Sequence, residues 1–336
     1  MLKYCALFAA AIMLACASPA LAAIEIKVAH GSPASNDKLE GAAQAMKKYV
    51  EEKSNGELKM TTYPASSLGS ERENLEGLQI GTIEMAILST GPVPSIFPDI
   101  MLIDLPYVIP TKEVAYKVFD GPIGQKLAAD MLKKTGIHLL SYGENGFRVF
   151  SGKKVMVTPE DYKGVKFRVM ENPIYVATVN ALDAIPATIP FGELYTALAQ
   201  GTVDGQDNPV SAVTSMRFYE VQSHLNLDNH VFNPHIVFAA DSFFSGLSPE
   251  QQQIIRDGAI IFKDEERRLN GIQTEEGLKL MRDKGIVITE LTTDQMAVLR
   301  GVTKSTYDIL RKRLGADVVD NYLAEVETIK AELGIK

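Results

Sequence analysis

Three side chains near the middle of the chain have the types and spacing to hold an anion: Arg148, Arg168 and Asn208. Each falls close to the end of an expected strand. A guanidinium is a planar fork of donors that fits a carboxylate with two parallel hydrogen bonds, and an amide adds a neutral donor. This is recognition chemistry rather than bond-breaking chemistry. The stretch presenting Arg168 is the most legible. Thr158 and Asp161, with Pro159 between them, form a helix-start signal of the capping-box kind, and only one turn fits before Gly164. Val165, Phe167 and Val169 then alternate with Lys166 and Arg168, the period-two pattern of a half-buried strand. Arg168 therefore leaves on the face opposite Phe167. Taken alone, the pattern favours an exposed arginine in a surface ion pair; the rest of the chain turns the reading toward a ligand.

Reactive constellations are missing from the sequence. It holds no Gly-x-Ser-x-Gly elbow, no His-Glu-x-x-His pair, no phosphate loop and no dinucleotide-binding glycine fingerprint. His30, His138, His224, His230 and His235 are scattered, without metal-ligand spacing, so no metal and no cofactor are expected. A hydrolase or lyase would have to assemble its acid-base pair from such residues. The only cysteines are Cys5 and Cys16, both inside an N-terminal leader. Lys3, an apolar run over 6–17 and Ala20-Leu21-Ala22 read as a secretory signal peptide covering 1–22, so a periplasmic protein without thiols is expected. Cys16 as a lipid-bearing first residue is the minority alternative. The formal charge of −8 argues against a nucleic-acid partner and requires a local positive site for any anion. With 336 residues of ordinary globular composition, two lobes are expected rather than one small core.

The elements that must position these side chains follow a β-α-β-α-β order at the start. Strands are expected at 24–29, Leu58–Tyr63 and 83–89, with helices over Lys38–Lys53 and up to Ile80, capped by Gly81. Such an order gives a mostly parallel sheet whose ligands sit beyond the carboxyl ends of its strands. Here those ends lie near His30, Pro64 and Ser89. Further strands are expected at 136–141, 148–151 and 231–240, the last crossing between lobes. Residues 77–84 echo residues 197–204: each copy ends a helix at glycine and starts a strand with an acidic residue. Duplication and chance similarity at a common turn explain this equally. Ser248 and Gln251 cap a helix whose pattern runs to Lys284, long enough to lie across both lobes. Phe191 stands at the entry of another helix, either stapling it or walling a pocket.

Three segments together resemble a known family. They are 63–72, running from Tyr63-Pro64 to Glu71-Arg72; 164–169, which contains Arg168; and 191–209, from Phe191-Gly192 to Asn208-Pro209. In their order and across the whole mature chain they resemble the DctP-type solute-binding proteins of tripartite ATP-independent periplasmic (TRAP) transporters. The resemblance implies a two-lobe periplasmic binding protein, class II-like, with hinge strands and a long helix spanning both lobes. Residues 23–145 with 234–273 would form the first lobe, and 146–233 with 274–336 the second, interleaved around a ligand cleft. It implies a small organic anion as ligand, hinge closure without catalysis, membrane subunits as partners, and a monomer. Arg168 is similar to the family's carboxylate-binding arginine, Arg148 to a second arginine ligand, Asn208 to the helping amide and Phe191 to a pocket wall. From the first lobe the aligned positions are His30, Glu71, Arg72 and Ser89. Ser89 stands where sialic-acid members carry glutamate, and no tryptophan is present for the pattern of metal-assisted 2-oxoacid binders. A receptor feeding a sensor kinase or chemoreceptor is the alternative within the binding class.

Overall fold

The structure, a computed structural model, describes residues 22–335. The expected leader lies almost entirely outside the described residues. The chain opens with β1 (Ile24–His30), α1 (Lys38–Lys53), β2 (Leu58–Tyr63), α2 (Glu71–Ile80) and β3 (Met85–Leu88), followed by α3 (Lys112–Asp120), α4 (Pro122–Thr135) and β4 (Ile137–Tyr142). It then enters a second layer through β5 (Gly146–Gly152), α5 (Pro159–Tyr162), β6 (Lys166–Val169), α6 (Pro173–Ala181), β7 (Ile185–Thr188), α7 (Leu194–Ala199), β8 (Gly205–Pro209), α8 (Val210–Ser215) and β9 (His224–Asn233). Next come β10 (Ile236–Ala240), α9 (Asp241–Phe244), α10 (Pro249–Asp283), β11 (Val287–Glu290), α11 (Thr293–Thr303), α12 (Ser305–Leu314) and α13 (Ala316–Glu332).

Two sheets result, ordered β2-β1-β3-β10-β4 and β11-β9-β5-β8-β6-β7. In the first, β1 pairs in parallel with β2 and β3, as helical crossovers require, and β10 inserts antiparallel between β3 and β4. In the second, β6 is parallel to β7 and β8, while β5 runs antiparallel to β8 and β9. Apolar clusters cover both faces of each sheet, so each lobe has its own core.

The chain changes lobes at 143–145, between β4 and β5, and returns at Pro234-His235, between β9 and β10. The expected continuous strand over 231–240 is therefore two strands. Pro234 has no backbone donor, so one ladder cannot run through it, and β9 instead extends back to His224. The third link is α10. Its 35 residues span about 50 Å, Ser248 and Gln251 form the expected capping box, and Gly285 turns the chain at φ +78°. Two of its glycines permit close packing on each lobe. A Cβ at Gly258 would stand 2.7 Å from Val50 of α1, and one at Gly277 would stand 2.4 Å from Thr214 of α8.

The last helices depart from the expected division. α11 contributes Leu299 to a second-lobe cluster, but Leu310 of α12 and Val319, Tyr322 and Val326 of α13 are buried with Val118 and Leu127 of the first lobe. An amphipathic pattern marks a helix's apolar face but not the lobe that receives it. The echoed segments occupy equivalent places. Glu84 accepts from the backbone of Lys27 on β1 at 2.9 Å, and Asp204 accepts from the backbone of Lys166 on β6 at 3.0 Å. Each acidic residue thus ties the start of its strand to the parallel neighbour.

Gly205 opens the central strand β8, where an added Cβ would lie 2.5 Å from the Ser151 carbonyl oxygen and 2.6 Å from the Phe167 ring. Gly205→Ala is expected to destabilise the protein by about 1–3 kcal/mol through overpacking. Urea unfolding should show a lower midpoint at unchanged slope.

Candidate functional site

Arg168 projects from β6, which is flanked by β7 and β8, so the strand is covered on both sides rather than half-buried. The arginine is only 2% exposed, which removes the surface-ion-pair reading. Its Nε donates to the Ile189 carbonyl oxygen at 2.8 Å, fixing the plane of the fork, while Nη1 is buried without a partner among the described residues. Burial pushes its pKa down to about 10, and the nearby Arg148 adds to that. At neutral pH it remains a cation, lacking a carboxylate of its own.

Arg148, from β5, differs in one respect: it has a carboxylate partner. Its Nε donates to Asp207 Oδ2 at 2.6 Å and Nη2 donates to the Asp207 carbonyl, while Cζ lies 5.1 Å from the centre of the Tyr175 ring. Burial by itself would push the Asp207 carboxyl up, but Arg148 and His230 outweigh it and hold it well below the usual carboxylate range. His230 lies 3.3 Å from Asp207 Oδ2 and 2.7 Å from Asp228 Oδ2. Burial opposes its charging, yet Asp228 and Asp207 prevail and raise it to about 9. The phenyl ring of Phe150 stacks on the imidazole at 4.4 Å. Asn208, two per cent exposed, donates to Gln206 Oε1 at 2.5 Å, which leaves its second amide hydrogen for the pocket.

Arg148, Arg168, Asn208 and Phe191 of the second lobe face Gly31, Lys38, Glu71 and Ser89 of the first around an inner pocket with a cavity volume of about 30 Å³. An outer pocket of about 290 Å³ adjoins it, where Arg72 meets Glu171 across the lobes. The lobes touch on several sides of the inner pocket. Ser89 Oγ is 3.3 Å from Met170 Sδ, Lys38 Nζ donates to Ser211 Oγ at 2.7 Å, and Phe191 packs beside Gly31. This is a closed cleft.

Of the residues expected at the site, Arg148, Arg168, Asn208, Phe191, Glu71 and Ser89 converge on the inner pocket, and Arg72 sits in the outer one. His30 does not join them. It is fully buried with Nε2 2.7 Å from Glu40 Oε2, and only its neighbour Gly31 reaches the pocket. Sequence reasoning missed Lys38, Asp207 and His230. Asp207 lies inside the segment 191–209, next to Asn208, but its bond to Arg148 follows from the register of β5 on β8, for which the sequence carries no local signal. Among the described residues no cluster of three or more His, Cys, Asp or Glu is placed to hold a metal ion.

Residues 28–313 match the family described as DctP, bacterial extracellular solute-binding protein, family 7. The chain belongs to this family. Its relatives include the C4-dicarboxylate-binding periplasmic protein DctP of Rhodobacter capsulatus, 31% identical over 93% of this chain and 94% of that one. Another is the 2,3-diketo-L-gulonate-binding periplasmic protein YiaO of Escherichia coli, 33% identical over 83% and 85%. Among solved structures, the sugar acid binding protein of Advenella mimigardefordensis, in complex with galactonate, superposes with a TM-score of 0.88 at 30% identity, covering 92% of this chain and 99% of that one. The two-lobe fold of the family's solved members is the fold found here. Among the described residues, no helix is long and apolar enough to cross a membrane.

The raised His230 gives a signed prediction. Its stabilising contribution is complete below the unfolded value near 6.5 and is lost as pH rises through about 9. The urea midpoint of the protein should therefore fall between pH 6.5 and 9. In His230→Gln, lower in stability at pH 6, that fall should flatten.

Proposed function

We propose that this chain is a periplasmic receptor that binds a small organic anion through its carboxylate, closes its two lobes over it and delivers it to the membrane subunits of a TRAP transporter, acting as a monomer and without catalysis. The observation that carries this reading is the buried, unpartnered Nη1 of Arg168 in a pocket also lined by Arg148 and Asn208. A carboxylate beside Arg168 would supply the missing counter-charge, and in a water-poor pocket each charge-assisted bond is strengthened. Relatives named for C4-dicarboxylate and diketogulonate binding, and solved neighbours holding galactonate and succinate, support an organic acid as ligand. The leader expected over 1–22 supports export.

Closure is the mechanism because the pocket walls come from different lobes, joined by two short hinge segments and α10. A ligand that touches both walls binds the closed form preferentially and shifts the population toward it. In small-angle scattering the free protein should have a larger radius of gyration than the protein saturated with its acid. An unchanged profile with proven binding would rule out the hinge movement.

Arg168→Lys keeps the charge but replaces a planar fork with a point charge. Affinity for the best acid from a thermal-shift screen should fall by roughly 1.5–3 kcal/mol, the worth of a hydrogen bond to a charged group, which is about tenfold to a hundredfold. Arg217→Lys is the control, since Arg217 is an exposed side chain paired with Glu220. Calorimetry giving equal affinities for wild type and folded Arg168→Lys would remove Arg168 from the binding site.

A further inference from the structure

The first lobe's share of the pocket bears on the other end of the ligand. Glu71 is the first residue of α2, directly behind the Ser70 cap, so its carboxylate stands at the positive end of that helix. Ser89 holds it in place with two donors, the backbone N to Oε1 at 2.7 Å and Oγ to Oε2 at 2.7 Å. Among the described residues these are its only hydrogen-bond partners. An ionised carboxylate has about four acceptor positions, so Glu71 keeps capacity for a ligand. It lines the inner pocket together with Arg168 and extends into the outer one.

The cations that line the pocket are unequally available. Arg148 is matched by Asp207 at 2.6 Å. Lys38, at the start of α1 and 1% exposed, is held across the lobes by Ser211 Oγ at 2.7 Å and Asn145 Oδ1 at 3.4 Å. Both arginines keep an Nη1 without a partner among the described residues, but Arg168 has no carboxylate bonded to it. The pocket thus presents the Arg168 fork, beside the free Nη1 of Arg148, on the second lobe and the Glu71 carboxylate as an anionic acceptor on the first.

We propose that the pocket selects a hydroxylated monocarboxylate over a dicarboxylate, with Arg168 taking the carboxylate and Glu71 accepting hydrogen bonds from hydroxyl groups farther along the ligand. This rests on the carboxylate-receptor reading above. A hydroxyl donating to Glu71 forms a charge-assisted bond. A second carboxylate at the same place would set two like charges together where closure excludes water, an arrangement that suppresses wrong partners.

Matched acids test this directly. D-erythronate differs from meso-tartrate, and D-galactonate from galactarate, only in carrying a terminal hydroxymethyl in place of a carboxylate. Calorimetry on the mature protein should show at least one monocarboxylate bound about tenfold or more tightly than its dicarboxylate partner. Glu71→Gln keeps the side chain's shape and removes its charge, so the ratio should move toward one, with circular dichroism confirming the fold. A dicarboxylate bound as tightly or more tightly by wild type overturns the inference and leaves the receptor reading standing. So does an unchanged ratio in folded Glu71→Gln. If the acid screen shows binding of other organic acids but of no hydroxylated monocarboxylate, the inference alone falls; binding of no organic acid at all overturns both. The wild-type ratio decides the matter even if the variant fails to fold.

Discussion

A buried guanidinium without a carboxylate of its own is the constraint on which the rest of this structure turns. Two arginines, Arg148 and Arg168, stand close enough in the second lobe for each to disfavour the other's charge, yet the nearest built-in anion, Asp207, is bonded to Arg148. Burying an unmatched charge is expensive. The fold tolerates it because Arg168 is anchored at Nε by the Ile189 carbonyl and its strand is locked by the buried Phe167 on the opposite face. In the function proposed above, this uncompensated charge is what an incoming anion would neutralise. On a protein of net charge −8, attraction of that anion depends on this local excess and not on the overall field.

The same electrostatics explains why the site sits at the junction of the lobes. The hinge is polar throughout. Asn145 donates to Asn233 Oδ1 at 3.1 Å, Asn233 donates to Thr90 Oγ1 at 2.9 Å, and Asn270 of α10 donates to Glu144 Oε1 at 2.7 Å. At Gly143, in the link between β4 and β5, an added Cβ would lie 2.1 Å from the Glu266 carboxylate, which the Glu144 backbone and His235 hold in place, so a larger residue would force that carboxylate to shift. Asp104, which burial pushes up to about 6, accepts from Thr90 Oγ1 at 2.7 Å and, across the lobes, from Asn172 Nδ2 at 2.7 Å and Tyr175 at 3.0 Å. Buried polar networks are stable only when fully satisfied. In the closed arrangement described here these groups are paired with one another across the lobes.

Division of labour between the lobes follows from their architecture. The second lobe mounts its arginines and Asn208 on paired strands, which fix direction. The first lobe offers residues from loops and helix starts: Gly31, Lys38, Glu71 and Ser89. Loop-borne residues change without disturbing a sheet. This arrangement suits a family whose relatives carry names of different acids on one fold.

What the sequence by itself determined was local. The helix starts at Ser70 and Ser248 form the capping boxes their spacing indicates, Asp161 accepts from the Thr158 backbone at 2.8 Å, and α10 runs its full expected length. Each depends on residues three or four apart, so no distant partner was needed to read it. The strand bearing Arg168 and the face opposite Phe167 were legible for the same reason. Tertiary structure alone decided that Arg168 would be buried on both sides, because burial depends on which strands flank β6. It alone joined Arg148 to Asp207 and His230, 59 residues and more than 80 residues away in sequence, through the register of β5, β8 and β9. It split the crossing strand at Pro234, turned His30 toward Glu40 rather than the cleft, and returned α13 to the first lobe. Periodicity specifies a side chain's face, but the partner on that face is set by pairing register and lobe packing, which no local pattern encodes.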